Sequence, residues 1–77
     1  LYGVAARKFI KLTDYTFGII GVGDVGKKVE SLARYLGFKV LLCDPPRAKA
    51  EGPEAFCSLE YLLANSQIVT MHVPLDD

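Results

Sequence analysis

Seventy-seven residues set an upper limit of one small domain, since a chain this short buries only about 60–65% of the surface it exposes when unfolded. Nine Lys and Arg balance nine Asp and Glu, and 51% of the residues are hydrophobic. That balance leaves no basic face for nucleic acid or an anionic membrane, and no apolar run nears the roughly 20 residues that cross a bilayer.

Residues Leu1 to Ile10 carry apolar side chains at loose helical spacing (Leu1, Val4, Ala5, Phe9), with Arg7, Lys8 and Lys11 near the end. They read as the last turns of a helix with cations at the negative end of its dipole, followed by a turn at Thr13-Asp14. Phe17 to Val22 is a continuous apolar run rich in β-branched residues, the pattern of a strand covered on both faces. Asp24 to Leu36 is helical by period: Val25, Val29, Leu32, Ala33 and Leu36 form one stripe, with Lys27, Lys28, Glu30 and Arg34 opposite. Glu30 and Arg34 stand at i,i+4, and Gly37 is placed for a left-handed cap.

Phe38 to Cys43 reads as a second strand, halted at Asp44 by Pro45-Pro46. Arg47 to Phe56 is polar and punctuated by Gly and Pro, so a loop is expected there. Ser58 can cap a short helix over Leu59 to Asn65, and Ile68 to Val73 makes a third strand closed by Pro74. Strands joined through helices run parallel with right-handed crossovers. The expected class is α/β, a Rossmann-type parallel sheet with flanking helices.

Gly21-Val22-Gly23-Asp24-Val25-Gly26 fits the pattern G-x-G-x-x-G. Alone the pattern is weak, because glycine clusters mark many ordinary turns. Here it follows a buried-type strand, opens an amphipathic helix, and precedes an acidic residue, Asp44, 18 residues beyond Gly26; the dinucleotide fingerprint expects about 20. Gly21 permits a tight turn, Gly23 lets a diphosphate approach the backbone, and Gly26 lets the helix pack closely on the strand. Free N–H groups at the positive end of the helix would meet the diphosphate. Asp44 would accept hydrogen bonds from the adenosine ribose hydroxyls and repel a 2′-phosphate, which favours NAD. A nearby Arg47 pulls the other way, since it is able to pair with that phosphate.

The remaining chemistry-bearing residues have plainer readings. Lys27 and Lys28 read as solvated surface. His72 has no nucleophile beside it and reads as structural or cofactor-lining. Glu51, Glu54, Asp76 and Asp77 lack metal-ligand spacing, and no metal site is expected. Cys43 and Cys57 also lack such spacing and read as small buried hydrophobes of a cytoplasmic, reducing environment.

From about Leu12 to Asp77 the sequence resembles the NAD-dependent D-2-hydroxyacid dehydrogenases. The likeness rests on the Gly21–Gly26 turn, the strand ending at Asp44, Ser58-Leu59-Glu60-Tyr61-Leu62-Leu63, and His72-Val73-Pro74-Leu75. It implies NAD as cofactor, held by Gly21, Gly23, Asp24, Val25, Gly26, Asp44 and Pro45, with His72, Val73 and Pro74 on the adenosine side. Asp24, where the most similar branch of the family often has Asn, is expected to cap its helix and face away from the phosphates.

Leu42-Cys43-Asp44-Pro45-Pro46-Arg47-Ala48 is most similar to the branch that oxidises 4-phosphoerythronate to its 2-oxo acid in pyridoxal phosphate (vitamin B6) biosynthesis. The family's catalytic His, its orienting carboxylate and its substrate-binding Arg would all follow Asp77, so no catalytic residue is expected within residues 1–77. These residues, which begin without Met, are expected to be the first part of the NAD-binding domain of a longer, homodimeric enzyme whose substrate domain lies elsewhere. Three alternatives stay open: another 2-hydroxy acid such as 3-phosphoglycerate, an NAD(H)-sensing corepressor-type module, and an unrelated nucleotide-binding domain such as a methyltransferase.

Overall fold

The computed structural model describes residues 12–72; the helix expected over Leu1 to Ile10, and Val73 and Pro74, lie outside them. A short 3-10 turn, Leu12–Asp14, leads into β1, Thr16–Ile20, and then come α1, Asp24–Leu36, and β2, Lys39–Cys43. Helices α2, Pro45–Glu51, and α3, Leu59–Asn65, precede β3, Ile68–Met71. All strand pairs are parallel, in the order β2-β1-β3.

Central β1 is buried because successive side chains leave a strand on opposite faces and each face is covered. On one face Ile19 packs with Val22 and Leu42, and with Val29 of α1. On the other, Ile20 packs with Cys43 and with Leu62 of α3, which is fully buried. Parallel crossovers are right-handed as a rule, so two that lead to opposite flanks of β1 put their helices on opposite faces, which agrees with the two clusters. α3 and its C-cap pack tightly over Gly18: a Cβ there would lie 2.5 Å from both Leu62 Cδ2 and Ser66 Oγ.

Several local expectations hold. Helices α1 and α3 have the expected bounds, Glu30 and Arg34 pair at 3.0 Å, Gly37 takes φ +103°, and the Ser58 hydroxyl accepts from the Tyr61 N–H at 3.1 Å. Others need correction. Arg47 to Phe56 is not all loop, since α2 occupies Pro45–Glu51. Asp-Pro-Pro is itself a helix start: Asp44 accepts from the Arg47 N–H, and two prolines fill the first positions, where an N–H has no intrahelical partner. β1 ends at Ile20 because Gly21, at φ +85°, turns the chain out of the sheet. The α1 stripe is broader than the face the sheet covers: Gly26 and Ala33 are buried, whereas Val25, Leu32 and Leu36 are exposed.

Candidate functional site

The three strands end in register. Ile20 pairs with Cys43 on one side and Met71 on the other, and the ladder runs one residue further. The Gly21 N–H donates to the Cys43 carbonyl at 2.9 Å, and the His72 N–H donates to the Ile20 carbonyl at 2.7 Å. Gly21, Asp44 and His72 thus stand side by side at the C-terminal edge. From β1 the chain steps to β2 on one flank and then crosses to β3 on the other. Connections that leave in opposite directions open a crevice at this point, where open α/β sheets bind their ligands. A cleft of about 750 Å³ lies there, lined by Gly21 and residues 23–26, by residues 43–47, and by Met71 and His72. Gly21, Gly23, Asp24, Val25, Gly26, Asp44, Pro45 and His72 are therefore brought together.

The glycines of the first turn do different work. A Cβ on Gly26 would run into the Gly21 carbonyl oxygen, so Gly26 serves the packing of α1 against the turn. A Cβ on Gly23 would meet nothing within 4 Å, so the fold itself leaves room for a side chain there. Gly23 is the N-cap of α1 and offers no side-chain acceptor; Asp24 is the first helical residue, not the cap that was expected. The first N–H groups of α1 have no partner along the helix, and they carry the positive end of its dipole. The two other helices are closed at this end, α2 by Asp44 and α3 by Ser58. Among the described helices, α1 alone starts without a side-chain cap, and its start lies at the cleft.

The second turn ties itself to the first. Asp44 Oδ2 accepts from the Val22 N–H at 2.7 Å, while Oδ1 accepts from the Arg47 N–H at 3.2 Å. A carboxylate has about four acceptor sites, which leaves capacity for a ligand's hydroxyls. Arg47 donates through Nη1 to the Val22 carbonyl at 2.7 Å, and through Nε and Nη2 to both Glu51 oxygens at 2.9 and 2.8 Å. Its guanidinium lies 5.4 Å from the centre of the Phe56 ring. The hydrogen bond between the two side chains, helped by their opposite charges, holds the Glu51 carboxyl below its ordinary range and the Arg47 guanidinium above. Glu51, although exposed, is therefore tied to the cleft wall through Arg47.

His72 Nε2 lies 2.6 Å from the Thr70 hydroxyl oxygen, in hydrogen-bond contact. Burial, followed by the charges of Asp44 and Glu60, pushes the Cys43 thiol up. It stays protonated near neutrality and makes a poor nucleophile. Cys57 is raised by burial and by Cys43. Among the described residues no three His, Cys, Asp or Glu gather as metal ligands, and no helix is long and apolar enough to cross a membrane. Sequence reasoning placed Arg47 near the ribose but missed its Glu51 partner, and it missed Ile20, Cys43, Pro46 and Met71 as cleft-lining residues. The available signal was the Asp-Pro-Pro helix start, which sets Arg47 and Glu51 at i,i+4 spacing.

Residues 4–77 match the family described as D-isomer specific 2-hydroxyacid dehydrogenase, NAD binding domain. The chain is 50% identical over 72 residues to erythronate-4-phosphate dehydrogenase of Proteus mirabilis, covering 94% of this chain and 19% of that protein. It is 45% identical over 73 residues to the enzyme of the same name from Yersinia pestis, covering 95% and 20%. The chain thus spans about one fifth of the length of these curated relatives. Among solved structures, the NAD-complexed D-isomer specific 2-hydroxyacid dehydrogenase of Lactobacillus delbrueckii ssp. bulgaricus matches with a TM-score of 0.71 at 29% identity, covering 87% of this chain and 20% of that one. The NAD+-bound 3-phosphoglycerate dehydrogenase of Entamoeba histolytica matches with a TM-score of 0.71 at 34% identity, covering 87% and 21%. Sequence and fold agree, and the chain belongs to the NAD-binding domain family of the D-isomer-specific 2-hydroxyacid dehydrogenases.

Proposed function

We propose that the cleft holds NAD, with the diphosphate against the N-terminus of α1 over Gly21, Gly23, Asp24, Val25 and Gly26. Asp44 accepts from the adenosine ribose hydroxyls with Pro45 beside it, and His72, Val73 and Pro74 line the adenosine side. The observation that carries this reading is the uncapped N-terminus of α1 at Gly23, where a Cβ would meet nothing within 4 Å. Open N–H donors at a helix start suit an anion, and a carboxylate with unused acceptor sites suits a vicinal diol. Bound NAD supplies the nicotinamide that takes a hydride from C2 of a 2-hydroxy acid. The residues described here bind and orient; the acid–base and substrate-carboxylate groups belong to the rest of the longer protein. That protein is proposed to be a cytoplasmic homodimer, with residues 1–77 as the first part of its NAD-binding domain.

The proposed substrate is 4-phosphoerythronate, in vitamin B6 biosynthesis. Identities of 50% and 45% to two proteins named erythronate-4-phosphate dehydrogenase support it. A second reading, 3-phosphoglycerate, draws on the 34% identity to the Entamoeba histolytica enzyme. NAD reduction by the full-length protein, assayed with 4-phosphoerythronate, 3-phosphoglycerate and D-lactate, separates them. Strong preference for 4-phosphoerythronate is expected; activity confined to another acid keeps the family and discards the substrate.

A further inference from the structure

We propose that Glu51 is a specificity-determining residue: its two-point grip on Arg47 withholds a guanidinium from the 2′-phosphate of NADP, so that the cleft takes NAD. This rests on the reading that Asp44 holds the adenosine ribose.

Arg47 lines the cleft three residues beyond Asp44. A free guanidinium in that place would recognise a phosphate by a pair of parallel hydrogen bonds. Here the Nε–Nη2 edge, which would make that pair, is filled by the two Glu51 oxygens at 2.9 and 2.8 Å. Nη1 is committed to the Val22 carbonyl at 2.7 Å, and the Phe56 ring lies beneath. The ion pair is partly exposed, with side-chain exposures of 27% for Arg47 and 52% for Glu51. Pairs of that kind contribute little to stability, so orienting Arg47 is what the pair accomplishes.

The same arrangement clamps the glycine turn. Val22 has its N–H held by Asp44 and its carbonyl held by Arg47, each at 2.7 Å. Arg47 is thus a positioning residue for the turn, and Glu51 keeps it there. Charge points the same way. Asp44, Arg47 and Glu51 together carry one net negative charge beside the ribose site, which disfavours a 2′-phosphate. Without Glu51 the group is neutral and the Arg47 fork is free to turn.

The test is titration of the full-length protein with NADH and NADPH, followed by cofactor fluorescence, for wild type and four variants. Glu51→Ala should raise NADPH affinity relative to NADH by about tenfold, the scale of one charge-assisted hydrogen bond. Glu51→Gln, which keeps the shape and loses the charge, should move the ratio in the same direction. Glu51→Ala combined with Arg47→Ala should lose the gain, since the gain depends on the freed guanidinium. Asp44→Ala tests the underlying reading. If it shifts the ratio and neither Glu51 variant does, the role of Glu51 is overturned and the ribose contact stands. If Asp44→Ala leaves the ratio unchanged, the ribose contact itself fails. A gain that survives removal of Arg47 also overturns the proposal.

Discussion

After β1 the chain enters α1 through Gly23, which gives the helix start no side-chain acceptor; after β2 it enters α2 through Asp44, whose carboxylate caps the helix. Both turns leave the same edge of the same sheet, and both line one cleft. The first has N–H groups to spare, and the second has a carboxylate whose acceptor capacity exceeds its internal partners. On the proposed reading, an anion site and a hydroxyl site lie next to each other because one helix lacks a side-chain cap and the other has one. The Val22 N–H donates to Asp44 and the Val22 carbonyl accepts from Arg47, which joins the two turns, so neither is independent of the other.

The largest effect is expected inside the first turn. Gly26→Ala drives a Cβ into a backbone carbonyl that cannot move without unmaking the turn, and should destabilise the full-length protein by about 3 kcal/mol, at the upper end of the overpacking range. Urea denaturation reads this, and an unmoved midpoint would show that close packing at Gly26 is dispensable. In the second turn, Asp44→Ala removes a cap and leaves the Val22 N–H without its acceptor. A loss of about 2 kcal/mol, together with weaker NADH binding, is expected. Loss of stability with NADH affinity intact would reduce Asp44 to a structural role.

Ser58→Ala is the matched control, because Ser58 caps α3 away from the cleft. It should cost about 1 kcal/mol and leave NADH affinity as it was; a large affinity loss would mean that the sheet transmits cap defects to the site generally. The smallest effect concerns Cys43, whose thiol is raised first by burial and then by Asp44 and Glu60. Because its folded pKa lies above the unfolded value, the stability linked to it is complete below the ordinary thiol range, about 8.5, and declines as pH rises through the folded value. Alkylation by iodoacetamide should be slow in the native protein and somewhat faster in Asp44→Ala, where one negative neighbour is gone. Equal rates in both proteins would remove Asp44 as a contributor.

Much of this was legible in the sequence where a residue's local partners decide its conformation. The α1 bounds follow from helical period and from Gly37, and those of α3 from Ser58. The G-x-G-x-x-G turn is recognisable because a buried-type strand precedes it and an amphipathic helix follows. Local signals misled where polarity was taken for irregularity: Arg47 to Glu51 is polar because α2 is exposed on most sides, yet Asp44 and two prolines start a helix there. Tertiary partners were beyond reach. Nothing near Asp44 in the chain indicates that Val22, 22 residues earlier, shares its carboxylate. Likewise Val25, Leu32 and Leu36 fit an apolar stripe by period, but only the packing shows that the sheet covers the neighbouring face, through Gly26 and Ala33.

On the proposed reading, the start of α1 at Gly23 carries no side-chain cap and the cofactor's diphosphate takes its free N–H groups. Gly23→Asp gives the helix the side-chain acceptor it lacks and sets a negative charge where the diphosphate is proposed to lie. NADH titration and urea denaturation of the same full-length variant should move in opposite senses. Affinity is expected to fall by at least about tenfold, the factor that 1.4 kcal/mol represents, while the unfolding midpoint holds or rises. A folded Gly23→Asp protein that binds NADH as tightly as wild type would mean that the diphosphate does not sit at the start of α1.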